Sequence, residues 1–234
     1  MESVGAAVKF DLVQTTLREV NHFLQHELGK EPAGAVEILN PAGAHNIAVG
    51  LDAPVEVHIR GHAGYYVAGM NKRATVTIHG NAGKGVAENI MSGVVRVKGD
   101  ASDSIGASGQ GGLLVVEGNA ASRCGISMKG CDIVVGGNVG HVSGFMAQAG
   151  HLVVCGDAGA GLGDSLYEAA IYVRGQIHGL GADAREEPLT DTDRVTLAEL
   201  LSAAGFDYDP GAFTRIGSAR TLYHWNTEHR EAYG

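Results

Sequence analysis

Basic residues are scarce in this chain: 17 Lys and Arg stand against 26 Asp and Glu, a net charge of −9. A face that binds nucleic acid needs a basic excess to neutralise phosphates, so this composition argues against such a partner. Long apolar runs are missing as well; nothing approaches the roughly 18 consecutive apolar residues that would suggest a membrane span. The N-terminus has no basic-then-apolar signal pattern. The three cysteines, Cys124, Cys131 and Cys155, form no C-x-x-C and cannot all pair. A soluble, cytoplasmic protein is the expectation. Proline (5 residues) and aromatics (6%) are also few, while glycine, at 36 residues, is far too abundant for an ordinary globular domain. There is no Gly-X-Y period for collagen, and too much Val, Ile and Leu for disorder.

The charge is unevenly spread. Residues 55–180 carry nine basic and nine acidic residues, residues 1–54 three and seven, and residues 181–234 five and ten. A neutral, glycine-rich body lies between two acidic flanks.

In that body one pattern restarts seven times. Gly61, Gly80, Gly99, Gly118, Gly137, Gly156 and Gly175 each close an apolar run, and the spacing is always 19 residues. Two residues before each Gly stands Ile or Val; four before stands Val, Leu or Ile. The position between them varies: His58, Thr77, Arg96, Val115, Val134, Val153, Tyr172. Apolar residues at period two describe a strand with one face always buried. After the Gly comes a polar turn residue (His62, Asn81, Asp100, Asn119, Asn138, Asp157, Gln176), and seven residues beyond it always Gly or Ala. A unit this short cannot bury its own inner face and must stack on copies of itself. Nineteen residues is too short for a helical hairpin. The reading is an all-β, right-handed parallel β-helix of about seven to eight coils, in which glycine reaches turn angles closed to other residues and the Asn or Asp after it bonds nearby backbone.

The boundaries follow: residues 1–35 as an N-terminal capping helix region, 36–183 as the β-helix with a degenerate opening coil at 36–50, and 184–234 as a C-terminal helix and extended arm. In the first segment Val13, Leu17, Val20 and Leu24 have helical spacing, with Asp11 as N-cap and Gly29 as stop. In the last, "TDTDRVTLAELLSAAG" reads as a helix capped near Thr190 to Asp193 and stopped by Gly205. The rest of the tail has little pattern and is expected to lie along a surface. It holds Tyr223, His224 and Trp225, the sole Trp, which serve either as an interface clamp on a partner or as a cover over the last coil.

Chemistry is thin. "VVCGDAGAGLG" at 153–163 has the glycines of a dinucleotide loop, but they sit on the repeat columns and no acidic residue follows at the right distance. His58, His62 and His79 come near each other in register on adjacent coils, as a metal site would require; exposed polar positions are the plainer reading. Cys124 shares an apolar column with Val67, Val86, Ile105 and Leu162 and belongs to the core. No Ser/His/Asp set or carboxylate pair stands out, so no catalytic, cofactor-binding or metal residue is assigned.

The motif "GNVGHVSG" at 137–144 and "GDAGAGLG" at 156–163, on a 19-residue repeat, resembles the GXGXG family over roughly residues 10–182. That family comprises the C-terminal β-helix domain of the glutamate synthase large subunit, stand-alone relatives, and the C subunit of formylmethanofuran dehydrogenases. The resemblance implies a non-catalytic scaffold subunit of a glutamate-synthase-like complex such as N-methylglutamate synthase. It would hold a class II glutamine amidotransferase-like subunit against an FMN-binding synthase subunit. The resemblance places FMN, and an iron–sulfur cluster as a further candidate, on the partner and none on this chain. The alternatives are a C subunit in formyl-transfer chemistry and a plain binding or oligomerisation solenoid.

Overall fold

A computed structural model describes residues 7–28 and 34–220. Within them one eleven-stranded sheet forms the spine of the molecule, in the order β1-β2-β3-β4-β5-β6-β7-β8-β9-β11-β10. The expected coils are β2 (Ala35–Leu39), β3 (Glu56–Arg60), β4 (Thr75–Ile78), β5 (Val94–Val97), β6 (Leu113–Val116), β7 (Lys129–Val135), β8 (Ala149–Val154) and β9 (Ala170–Val173), all parallel. From β3 onward the register advances 19 residues per strand: Val57 pairs with Val76, Val76 with Val95, Val95 with Leu114. The two apolar residues of every repeat are fully buried, from Val57 and Ile59 to Ile171 and Val173.

Across the core the coils meet again through a column of single bridges, Ala63 to Ala82 to Ala101 to Ala120 to Val139 to Ala158 to Ile177. The remaining wall of each coil is a tight turn in which alternate residues take left-handed backbone angles. In six successive coils these lie five, seven and nine residues after the column glycine; in the coil of Gly137 they are Val142, Gly144 and Met146. Left-handed geometry costs a non-glycine residue on the order of 1–2 kcal/mol, and here it is held by backbone bonds to the neighbouring coils, such as Val142 N–H to Ala160 O at 2.9 Å. Seven residues after the column glycine the side chain also faces the core, and a Cβ on Gly106 would lie 2.6 Å from Ile133 Cδ1. Small residues there answer both demands.

The column glycines themselves have a different reason from the one the sequence suggested. Of the seven, only Gly61 has a left-handed φ. The others are short of space. A Cβ on Gly99, Gly118, Gly137, Gly156 or Gly175 would sit between 2.1 and 2.4 Å from the side-chain oxygen of the turn residue one coil back. That oxygen is fixed because it accepts a backbone N–H from the next coil. The rungs run His62 Nδ1 to Asn81 N, Asn81 Oδ1 to Asp100 N, Asp100 Oδ1 to Asn119 N, Asn119 Oδ1 to Asn138 N, Asn138 Oδ1 to Asp157 N and Asp157 Oδ1 to Gln176 N, at 2.7 to 3.0 Å. The turn residue therefore stitches coil to coil and does not merely close its own turn.

The N-terminal end is plugged. Strand β1 (Val8–Asp11) extends the sheet beside β2, and helix α1 (Leu17–His26) crosses between them. The N-cap is Thr16, not Asp11: Thr16 and Glu19 form a reciprocal capping box. Asp11 ends β1, where its carboxylate accepts from Val13 N at 3.0 Å and Asn40 Nδ2 at 2.8 Å. Val13 therefore precedes the helix and is 78% exposed. Gly29, the expected stop, lies outside the described residues. Val20 and Leu24, one turn apart, enter the core, and Phe23 packs edge-on against Phe10 of β1.

Strand β1 serves the sheet wall of the first coil, and among the described residues α1 supplies the partners for the outward backbone of its turn wall. Asn21 donates to Asn46 O at 2.8 Å and accepts from Ala48 N at 2.9 Å, while Gln25 donates to Val49 O at 2.8 Å. A carboxamide has both a donor and an acceptor, as the missing peptide would. Asn21→Leu keeps the helix and leaves these groups unpaired, so urea unfolding should show a loss of about 1–3 kcal/mol; an unchanged midpoint would refute the plug.

At the other end the tail is more ordered than expected. After helix α2 (Asp191–Ala204), residues Thr214–Ser218 form β11, antiparallel both to β9 and to β10 (Ala184–Glu187). Ile216 of β11 is fully buried in the main core. As the sequence indicated, α2 is capped at Thr190, again with a capping box to Asp193, and closes at left-handed Gly205.

Candidate interaction surfaces

The outer face of the sheet, built from the variable column, is divided in two. Over β6 to β9 that column is apolar, with Val115, Val134, Val153 and Tyr172, and α2 lies on it through Leu197, Leu201 and Ala204, with Phe213 alongside. All of these are buried. The variable position is thus a second core for half of its length, which the sequence reading missed; four successive apolar residues in a column otherwise polar were the available signal.

Both ends of α2 are pinned by polar groups on the sheet. Arg96 on β5 donates to Ala204 O at 2.8 Å and Ala203 O at 3.2 Å, covering free carbonyls at the negative end of the helix. At the N-terminus, Asp193 accepts from Tyr172 Oη at 2.6 Å, from Arg215 Nε at 3.1 Å, and from both the backbone and the hydroxyl of Thr190. Burial works to raise the Asp193 carboxyl, but the bonds from Thr190 and Tyr172 outweigh it and the group titrates below its ordinary range. Burial, followed by the Asp193 bond, pushes the Tyr172 phenol well up.

Over β2 to β4 no helix among the described residues covers the outer face. Glu37 on β2 is paired with Arg60 at 2.6 Å and Lys9 at 3.0 Å, and the bonds to Arg60 and then Lys9 hold its carboxyl down at about 2. His58 and His79 do come together, with Nδ1 and Nε2 3.2 Å apart, but the third partner beside them is the Arg60 guanidinium, 3.0 Å from His79 Nε2. Partial burial, then the Arg60 charge, lowers the His79 pKa. His62 stands apart at the foot of the turn ladder. Among the described residues no group of three or more His, Cys, Asp or Glu is placed to hold a metal.

On the turn wall, Ser122 Oγ and His141 Nδ1 lie 3.0 Å apart, a contact the sequence reading did not single out although the 19-residue spacing encodes it. Asp103, one coil back, accepts from the backbone N–H of Ser122 and does not orient His141. Among the described residues no acid is placed to hold His141 as a general base.

No family model matches the chain. Over 224 residues it is 56% identical to Protein GlxC of Rhizobium meliloti (strain 1021), a span that takes in 95% of this chain and 98% of that protein. The chain belongs to the GlxC family.

In this GlxC-family chain the three thiols are free and buried. Burial pushes Cys131 up to about 12 and Cys155 up to about 11, and Cys124 higher still, so none offers a thiolate near neutral pH. The glycines at 156–163 of the suspected dinucleotide loop lead into a bridge residue, Ala158, and a tight turn, with no helix to receive a pyrophosphate. No described helix is long and apolar enough to cross a membrane. The clamp residues Tyr223, His224 and Trp225 lie outside the described residues.

Proposed function

We propose that this chain is a non-catalytic structural subunit of a glutamate-synthase-like complex, specifically N-methylglutamate synthase, which converts methylamine and glutamate to N-methylglutamate and ammonia. It would space a class II amidotransferase-like subunit from an FMN-binding synthase subunit, with the flavin, and any iron–sulfur cluster, on the latter. One observation carries this reading: the polar column that the repeat supplies is consumed in coil-to-coil bonds, leaving a stiff rod whose outer faces differ from one coil to the next. The family resemblance of the repeat and the near-full-length likeness to Protein GlxC support it.

Co-expression with an amidotransferase-like and an FMN-binding partner tests the proposal. The expected result is a stable complex of all three that forms N-methylglutamate, while the isolated chain shows no flavin spectrum, no stoichiometric metal and no glutaminase activity. Co-purification with formyltransferase or molybdenum and tungsten subunits instead would favour the formylmethanofuran alternative.

A further inference from the structure

Most side-chain stitches between coils end on an oxygen. Asn81, Asp100, Asn119, Asn138 and Asp157 accept the next coil's N–H on a carboxamide or carboxylate, and Asp103 does the same for Ser122. Two stitches differ, and both lie near the N-terminal end. His62 Nδ1 accepts from Asn81 N at 2.9 Å, and His45 Nδ1 accepts from Tyr65 N at 2.7 Å. They are built into the packing as the others are. The His45 ring stacks on Tyr65 at 4.5 Å, and a Cβ on Gly64 would collide with the Gly43 carbonyl and with His45 Nδ1. One coil before His62 the column holds Gly43, which has no side chain to give, so His62 is the first rung.

A carboxamide or carboxylate oxygen accepts throughout the neutral range, whereas a ring nitrogen accepts only while it carries no proton. Imidazole is the side chain whose charge ordinarily changes between about pH 5 and about pH 8. A protonated Nδ1 would aim a donor at a donor, so acid favours the state without the stitch. The flanking groups offer no replacement. Among the described residues neither ring joins an ion pair; the histidines that do are His58 and His151. Tyr65 is the titratable side chain against His45. Arg60 is turned to Glu37 and His79 on the outer face, and Asp11 to Asn40. Lys84 lies one coil beyond Tyr65, Asp100 one rung beyond Asn81, and α1 brings Arg18, Glu19 and the His22–His26 ring pair. The turn that carries His45 is also the one α1 closes, through Asn21 to Asn46 O and Ala48 N.

We propose that His45 and His62 form a proton-operated latch at the N-terminal end of the rod. Protonating the two rings undoes both stitches and loosens the first coils together with α1, while the coils beyond Gly80, stitched by oxygens, stay closed. The latch stands whether or not the proposed complex exists.

Nitrogen NMR of the full chain reads the rings directly: near about pH 7.5 both should be neutral, with the proton on Nε2. Hydrogen exchange, corrected for the intrinsic effect of pH, should show peptides covering 17–26, 43–50 and 62–70 losing about tenfold in protection between about pH 7.5 and about pH 5. That interval lies above the ordinary carboxylate range, and peptides covering 137–160 should not change. His45→Asn with His62→Asn, which puts a carboxamide oxygen in each place, should abolish the loss. His58→Gln with His79→Gln, which removes the imidazole pair on the outer face of the same coils, should leave it intact. Equal protection in wild type at the two pH values, a loss shared by 137–160, or a ring with its proton on Nδ1 near neutral pH would overturn the proposal. So would a loss that survives in the Asn variant; if that loss vanishes in the Gln variant, it belongs to the outer face instead.

Discussion

Gly118→Val should destabilise the protein by roughly 3 kcal/mol or more, the range of severe overpacking against fixed backbone. The first added atom would lie 2.4 Å from Asp100 Oδ1 and 2.8 Å from Gly99 O. Neither atom can step aside cheaply. Asp100 Oδ1 is held by Asn119 N at 2.7 Å and Asn119 Nδ2 at 3.1 Å, and the Gly99 carbonyl accepts from Gly118 N at 3.1 Å. Relief requires the coils to part from their spacing of about 4.8 Å, which would strain the rungs above and below. Gly99→Val faces an oxygen at 2.1 Å and should behave alike. Thr77→Val, on the outer face of β4 where the side chain is largely buried, exchanges a hydroxyl for a methyl in the same shape and should change stability by about 1 kcal/mol or less. Equal shifts in urea midpoint for the two kinds of change would contradict the register.

Asp193→Ala should release α2. The carboxylate caps the helix, holds Tyr172 and Arg215, and is nearly buried. Its loss leaves the buried phenol without its partner and Arg215 with Glu187 alone; the expected cost is about 2 kcal/mol. Loss of helicity and new exposure of Val115, Val134 and Val153 to hydrogen exchange and dye binding would report it. The pH dependence has a definite sign. The folded Asp193 titrates below its ordinary 3.8, so its contribution is complete above that value and is lost as pH falls through the lower folded one. Acid should therefore loosen the wild-type helix, while the Asp193→Ala protein should show no such step. A helix that stays docked in the variant would place the holding energy in Leu197 and Leu201 alone.

The repeat columns were legible because each obeys a local rule renewed every 19 residues: Val57 and Ile59 inward, Gly61 at the edge, a small residue after it. What was not legible depended on which distant element covers a face. Val115 and His58 occupy the same column, yet one is buried under α2 and the other is half open. The place of β11 was hidden for the same reason, since "TRIGS" has no period of its own and becomes a strand only against β9. The sequence reading placed the cap at Asp11 and overlooked Thr16, although the Glu19 three residues after Thr16 marks a capping box. At the candidate site, the 19-residue spacing foretold the meeting of His58 and His79 but not the Arg60 guanidinium beside them.

The turn ladder also makes the molecule a ruler. Because every coil repeats the same rung, two points on one column can be separated only by whole steps of about 4.8 Å; Gly61 and Gly175, six steps apart, stand about 29 Å from one another. An insertion of a few residues would bulge out of a turn and leave that distance unchanged, whereas gain or loss of a complete 19-residue unit would change it by one graduation. Bodies gripping the two ends of the rod would thus hold their separation through point mutation and loop growth alike, and lineages could alter it only in discrete increments.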